Sequence, residues 1–169
     1  MREEPADEVN AAIAEIARRY PQPRSAALMV LHFLQERFGC LTPPLIEQAA
    51  EQLGLQPVNL YELVTFYPMF RMRPAGRWHL RLCRTLSCAL AGSAELHRYL
   101  CEKLGLDPSE RGPQTTPDGR VTVEFVDCLA RCHQAPAALC NEEEWDRVDK
   151  GKLDEFLRRL ESERGDELG

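Results

Sequence analysis

Residues 78–105 read WHLRLCRTLSCALAGSAELHRYLCEKLG, and residues 121–132 read VTVEFVDCLARC. In the first stretch Trp78, Leu80 and Leu82 alternate with His79 and Arg81, a period of two that predicts a strand. Leu96, Leu100 and Leu104 follow at four-residue spacing, with Lys103 in the last turn and Gly105 behind it, which predicts a helix. Val121, Val123 and Phe125 predict a second strand. Two strands joined through a helix need a crossover, so they are expected to lie parallel. Downstream, Ala137 to Cys140 predicts a third strand and Asn141 to Glu143 a turn. Trp145 to Val148 predicts a fourth strand, antiparallel to the third because the connection is tight. Leu153, Phe156, Leu157 and Leu160 predict a closing helix, and the charged run ESERGDELG after it reads as a frayed tail. Asp107 to Gly119 is polar and rich in Pro and Gly, so it is expected to be a loop.

Pro74-Ala75-Gly76 marks a change of pattern and is taken as a domain boundary. Before it the periods are helical. Ala12, Ile13, Ile16 and Ala17 follow Asp7, and Pro21 and Pro23 end that segment. Ser25 is expected to cap a second helix with Leu28, Leu31, Phe33, Leu34 and Phe38 on its apolar face and Gly39 as its stop. Thr42 caps a third, with Pro43 or Pro44 in the first turn, Ile46, Ala49, Ala50 and Leu53 on one face, and Gly54 ending it. A fourth runs from about Pro57 to Phe66. Residues 1–75 therefore predict a small all-α helical bundle. Residues 76–162 have the element order of an α/β, thioredoxin-like domain, with 163–169 as the tail.

The chain has 169 residues, 44% of them hydrophobic and 28% charged, which is ordinary globular composition and excludes disorder for its bulk. The balance of 21 basic against 27 acidic residues opposes binding by phosphate neutralisation, so no nucleic acid is expected. Acid at Glu3 and Glu4 with no apolar run behind it is not a signal peptide. No apolar run approaches the roughly 18 residues of a membrane span. The expectation is a cytoplasmic chain with no direct membrane insertion. In that setting clustered cysteines bind metal or do redox chemistry more often than they form disulfides.

There are seven cysteines, and four fall into two close pairs. Cys83 and Cys88 form C-x4-C, Cys128 and Cys132 form C-x3-C, and residues 89–127 separate them. Each pair begins where a predicted strand ends. Parallel neighbours put those ends on one edge of the sheet, where open α/β sheets place ligands. Cys88 stands just ahead of the domain's first predicted helix, whose amides favour a thiolate. Four converging thiolates suit zinc or an iron–sulfur cluster. Zinc more often uses a tighter C-x2-C turn, and C-x4-C occurs in a ferredoxin type. A structural zinc module and a redox-sensing thiol protein remain the alternatives of other classes. Cys40, Cys101 and Cys140 read as buried small hydrophobes.

The segments LHFLQERFGCL (31–41), LYELVTFYPMF (60–70), LCRTLSCALAGS (82–93) and TTPDGRVTVEFVDCLARCHQAP (115–136) together resemble the thioredoxin-like [2Fe-2S] subunit of NADH:quinone oxidoreductase. The same family includes small subunits of NAD-linked hydrogenases and formate dehydrogenases. The resemblance runs from about Ala26 to Leu160. It implies one [2Fe-2S] cluster on Cys83, Cys88, Cys128 and Cys132, and an electron-transfer role within an NADH dehydrogenase. It implies a partner subunit that binds FMN and NADH, a further iron–sulfur subunit, and a place at the cytoplasmic face of the membrane through the complex. Family members often carry Gly-Ala between the third and fourth ligands, where this chain has Leu129-Ala130-Arg131.

Such a cluster is anionic, and one-electron reduction makes it more so, so nearby positive charge raises its potential. Arg84, Arg131 and His133 adjoin ligands, and Arg131 is expected to raise the potential. The glycines contain no G-x-G pair, so no dinucleotide fingerprint or phosphate cradle is visible, and NADH and flavin chemistry is expected on a partner. No C-x-x-C dithiol is present, which argues against thiol–disulfide exchange. His32, His79 and His97 lie within predicted elements and suggest no metal site. Tyr61, Phe66, Tyr67 and Phe70 read as core before interface, although the resemblance tilts the bundle towards docking on the partner.

Overall fold

A computed structural model describes residues 6–110 and 112–166. The acidic start at Glu3 and Glu4, and residues 167–169 of the expected tail, lie outside them. The chain divides into two compact units, residues 1–75 and 76–169.

The first unit is four helices, α1 (Ala6–Ala17), α2 (Pro23–Phe38), α3 (Pro43–Leu53) and α4 (Pro57–Phe66). Pro occupies the first turn of the last three, where its missing N–H costs nothing. Pro23 therefore opens α2 instead of closing α1, and Gln22 stands at the N-cap where Ser25 is expected. Gly39 and Gly54 end α2 and α3 in left-handed conformation. The core is Ile13, Val30, Leu31, Leu34, Leu41, Ile46 and Leu60 with small alanines between them. Leu28, Phe33 and Phe38 only border it, because Ala26, Ala27 and Val30 take the inner face of α2. The Gln35 side chain ties α2 to the segment after α4. It donates to the Met69 carbonyl at 2.8 Å and accepts from the Arg71 amide at 2.7 Å. Of the four aromatics, Phe70 is buried, Tyr61 and Tyr67 border the core, and Phe66 is exposed.

The second unit is a five-stranded sheet in the order β2-β3-β1-β4-β5. Its strands are β1 (Trp78–Cys83), β2 (Gln114–Thr115), β3 (Val121–Val126), β4 (Ala138–Cys140) and β5 (Glu143–Trp145). Helices α5 (Leu86–Leu90) and α6 (Ser93–Leu104) lie between β1 and β2, and α7 (Lys150–Asp166) closes the chain. β1 and β3 are parallel, with Trp78 opposite Val121 and Cys83 opposite Val126. β4 is antiparallel to both β1 and β5. Leu80, Leu82, Val121 and Val123 share a core with Leu96 and Leu100 of α6 and Leu153 and Phe156 of α7. The opposite face of β1 and β3 is polar, and there His79 Nε2 meets the Glu124 carboxylate at 3.1 Å.

Three elements differ from expectation. The 107–119 segment contains the edge strand β2, whose two residues pair with Thr122 and Val123 and are too short for a periodic signal. β5 spans Glu143–Trp145 instead of Trp145–Val148, because the turn needs only Asn141, in left-handed conformation, and Glu142. α7 continues to Asp166, so residues 163–166, assigned to the tail, are helical. The reason is Glu163. Its carboxylate accepts from the Trp78 indole N–H at 3.1 Å and from Arg159 Nε at 3.3 Å. Arg77 and Arg120 stand 3.8 and 3.7 Å away.

The Trp78 hydrogen bond, assisted by Arg77 and Arg159, holds the Glu163 carboxyl below the ordinary glutamate range. A depressed folded-state pKa stabilises the fold above the unfolded value of about 4.3, and that stability is lost as pH falls through the folded value. Glu163→Gln is therefore expected to melt below the wild type near neutrality. The gap should close by about pH 3, as read by thermal denaturation across pH. A gap that persists at the acid end would assign the effect to packing.

Candidate metal centre

The four paired cysteines converge at one end of β1 and β3. Cys83 is the last residue of β1, and its amide donates to the Ala137 carbonyl at 3.0 Å. The ladder continues one step past it, where the Arg84 amide donates to the Val126 carbonyl at 2.8 Å. Beside that step the Arg84 guanidinium pairs with Asp127 at 2.8 Å, tying the residue after Cys83 to the residue before Cys128. Cys128 follows β3, and Cys132 opens a single 3-10 turn over Cys132–Gln134. Their Sγ atoms are 3.6 Å apart. Cys83, Cys88 and Ala137 form a small buried cluster with Leu129 and Ala135 packed against it.

Cys88 is not ahead of a helix but in the middle of α5, which turns it inward while Leu86 and Leu90 point outward, 74% and 81% exposed. Cys88 therefore does not stand before a helix start whose amides would favour its thiolate. Burial raises the Cys88 thiol, and the neighbouring Cys83 and Cys132 raise it further. Burial also pushes Cys83 up. Hydrogen bonds from the Thr85 side chain (3.3 Å) and from the Leu129 and Thr85 backbone outweigh it and leave Cys83 below its ordinary value. The Ala130 amide, 3.3 Å from Cys128 Sγ, lowers Cys128, with help from Cys132 and Thr85. Hydrogen bonding to Cys128 and its charge, with burial, raise Cys132. Each pair thus holds one thiol shifted below its ordinary value and one shifted above it. Four thiolates this close repel one another unless a cation offsets them.

Sequence reasoning missed Thr85 and the Ala130 amide as partners of the sulfurs. A hydroxyl inside C-x4-C is a weak signal for the first. A backbone donor leaves no sequence signal at all. Cys40, Cys101 and Cys140 are buried as expected. Burial pushes the thiols of Cys101 and Cys140 up to about 11. Alkylation of the metal-free chain at pH 8 is expected to modify exposed Cys128 first and to spare Cys40, Cys101 and Cys140 until the chain unfolds. Peptide mass mapping over time reads this order. Early labelling of Cys101 would contradict the packing of α6.

Among the described residues no group of three or more His, Cys, Asp or Glu side chains closes around a single point as one metal ion requires. The donor set is instead two thiol pairs, all four unlinked by disulfides. A cavity of about 420 Å³ lies elsewhere, lined by Leu104, Val121, Leu157 and Leu160 with Lys103 and Arg120, and no cysteine lines it. No described helix is long and apolar enough to cross a membrane.

The family model for a thioredoxin-like [2Fe-2S] ferredoxin matches residues 13–161. A Rhizobium meliloti protein, named as a subunit of NADH-quinone oxidoreductase, is 40% identical over 89% of this chain and 85% of its own length. A Thermus thermophilus protein, also named as a subunit of NADH-quinone oxidoreductase, is 38% identical over 85% of this chain and 78% of its own. The structure of an NAD+-reducing [NiFe]-hydrogenase in its H2-reduced state matches 78% of this chain with a TM-score of 0.65 and 24% identity. The chain spans 22% of that hydrogenase chain, and the likeness supports the fold.

Proposed function

Because the chain belongs to the thioredoxin-like [2Fe-2S] ferredoxin family, we propose that it is the electron-transfer subunit of an NADH-quinone oxidoreductase. In this reading one [2Fe-2S] cluster is held by Cys83, Cys88, Cys128 and Cys132. The observation that carries it is the meeting of two thiol pairs at the ends of parallel strands β1 and β3, joined across by Arg84 and Asp127. The donor set fits the group. Two thiolates on one tetrahedral metal at about 2.3 Å stand about 3.8 Å apart, close to the 3.6 Å between Cys128 and Cys132. Iron–sulfur clusters are held by four thiolates, two to each iron in the two-iron type, which suits two pairs better than one tetrad.

When bound, such a cluster supplies a one-electron carrier whose potential follows charge, sulfur hydrogen bonds and exposure. The chain's own part is to hold the thiolates, donate the Ala130 amide to Cys128 Sγ, and shield Cys83 and Cys88 while Cys128 and Cys132 face outward. The Arg131 guanidinium is forked onto Asp146 and joined by Glu144, a trio with net negative charge. The positive charge expected to raise the potential is therefore offset where it stands.

Flavin and NADH chemistry is assigned to a partner subunit that binds FMN and NADH and exchanges single electrons with this chain. A further iron–sulfur subunit is its other neighbour, and the complex places the chain at the cytoplasmic face of the membrane. Exposed Leu86 and Leu90, on the helix that carries Cys88, support a docked partner on that side. The test is anaerobic purification of the native chain. The expected product is red-brown, holds about two irons per chain and loses colour on dithionite. A colourless protein with stoichiometric zinc would overturn the reading.

A further inference from the structure

We propose that Arg131 is a positioning residue for the Cys128–Cys132 loop, its guanidinium fork on Asp146 holding that loop in its ligating shape. The proposal rests on the assignment of Cys128 and Cys132 as ligands. Arg131 Nε donates to Asp146 Oδ1 and Nη2 to Oδ2, both at 2.5 Å, while Nη1 donates to Glu144. The Arg131 and Asp146 side chains are 26% and 34% exposed. A planar fork on a carboxylate fixes direction as well as distance, which a single lysine contact does not. Exposed ion pairs add little to global stability, so the consequence lies in what this one orients.

Two strained residues flank the fork. Ala130 precedes Arg131 at φ +61°, and Arg147 follows Asp146 at φ +47°. A residue with a Cβ persists in left-handed conformation only where its surroundings hold it there. Here the surroundings form a seam. The Gln134 amide donates to the Arg131 carbonyl at 2.9 Å and closes the turn behind Cys132. The Arg147 amide donates to the Gln134 carbonyl at 2.9 Å, and the Val148 amide to the Pro136 carbonyl at 2.8 Å. The side-chain fork is a further tie along that seam. Ala130 also stands between the two cysteines, with its amide donating to Cys128 Sγ at 3.3 Å. A loop that relaxes at Ala130 therefore gives up the spacing of the pair.

The test loads the full chain with its cluster and follows iron release to excess chelator, alongside EPR line shape and midpoint potential. Arg131→Ala and Asp146→Asn are each expected to release iron about tenfold faster and to broaden the EPR signal, the scale of losing a group that orients a ligand. Arg131→Lys, which keeps the charge and guards against a folding defect, should recover only part of the loss. The exchange Arg131→Asp with Asp146→Arg should return to within about twofold of the wild type. Glu144→Gln, at the exposed end of the trio, should release iron at the wild-type rate. Opposite midpoint shifts in Arg131→Ala and Asp146→Asn at unchanged release would overturn the proposal in favour of a purely electrostatic role. Wild-type release and line shape in both variants would overturn it while leaving the ligand assignment intact. A wild type that takes up no iron overturns the assignment and the proposal with it.

Discussion

Cys83→Ser and Cys128→Ser are each expected to strip the cluster from the chain, with affinity for iron falling by about a hundredfold or more. Loss of an outer group that merely orients a ligand already costs about 10- to 100-fold, and these residues are the ligands in the proposed site. The two substitutions test different halves of it. Cys83 is buried at the end of β1, with Thr85 and the Leu129 backbone supporting its sulfur. Cys128 is exposed, and its support is the Ala130 amide. Each pair serves one iron in the proposed arrangement, so neither loss is made good by the other pair. Circular dichroism should stay near wild type, because the helical core of α6 and α7 against the sheet does not include these sulfurs. Cys101→Ser is the matched control. Its sulfur lies 3.4 Å from His97 Nε2, a partner that a hydroxyl can also use, and its iron content should equal the wild type. Iron analysis and EPR decide the matter. Unchanged iron and signal in both Cys83→Ser and Cys128→Ser would show that the ligand set is wrong.

Legibility followed the range of each interaction along the chain. α3 is readable almost completely, since Thr42, Pro43, the apolar face and Gly54 all lie within one helix, although the Thr42 side chain makes no capping hydrogen bond. The parallel pairing of β1 with β3 is readable because chain connectivity forces it. That the two cysteine pairs meet is readable because parallel pairing brings the ends of β1 and β3 together. What lay hidden was set across the sequence. Glu163 keeps α7 helical through Trp78, Arg77 and Arg120, residues far away along the chain, so a charged run looked like a tail. Arg131 looked like a free positive charge beside a ligand, because its carboxylate partners lie beyond the next strand. β2 was hidden because a two-residue strand has no period. Ala130 shows the same limit locally. Its left-handed conformation is one that sequence would assign to glycine, and here a seam of long-range ties sustains it.

Gly76→Ala is the second large effect, and it follows from a contact that sequence could only register as punctuation. Gly76 reads as a boundary residue, yet its conformation is not the issue, since its φ is outside the left-handed range. A Cβ at this position would stand 2.6 Å from the Arg120 carbonyl oxygen, 2.7 Å from its carbon and 2.8 Å from the Val121 nitrogen. All three are backbone atoms at the start of β3, so no side-chain rotation relieves the clash. The same approach allows the Gly76 amide to donate to Thr122 Oγ1 at 2.7 Å and the Trp78 amide to donate to the Arg120 carbonyl at 2.9 Å. An added methyl must therefore push the entry of β1 away from β3 and lengthen both bonds. The expected cost is about 2–3 kcal/mol, the upper part of the range for overpacking because the obstacle is main chain. In a chain of this size that corresponds to a fall in Tm of about 4–12 °C. Gly54→Ala separates this mechanism from ordinary glycine strain. Nothing lies within 4 Å of a Cβ there, but φ is +64°, so only about 1 kcal/mol is expected. Cys83 closes β1 five residues on from Trp78, about 17 Å along the strand, so iron content of the folded Gly76→Ala chain should match the wild type. Thermal denaturation of the two alanine variants gives the comparison. A Gly76→Ala chain no less stable than Gly54→Ala would mean that the β1 entry yields at little cost and that the close approach to Arg120 is incidental.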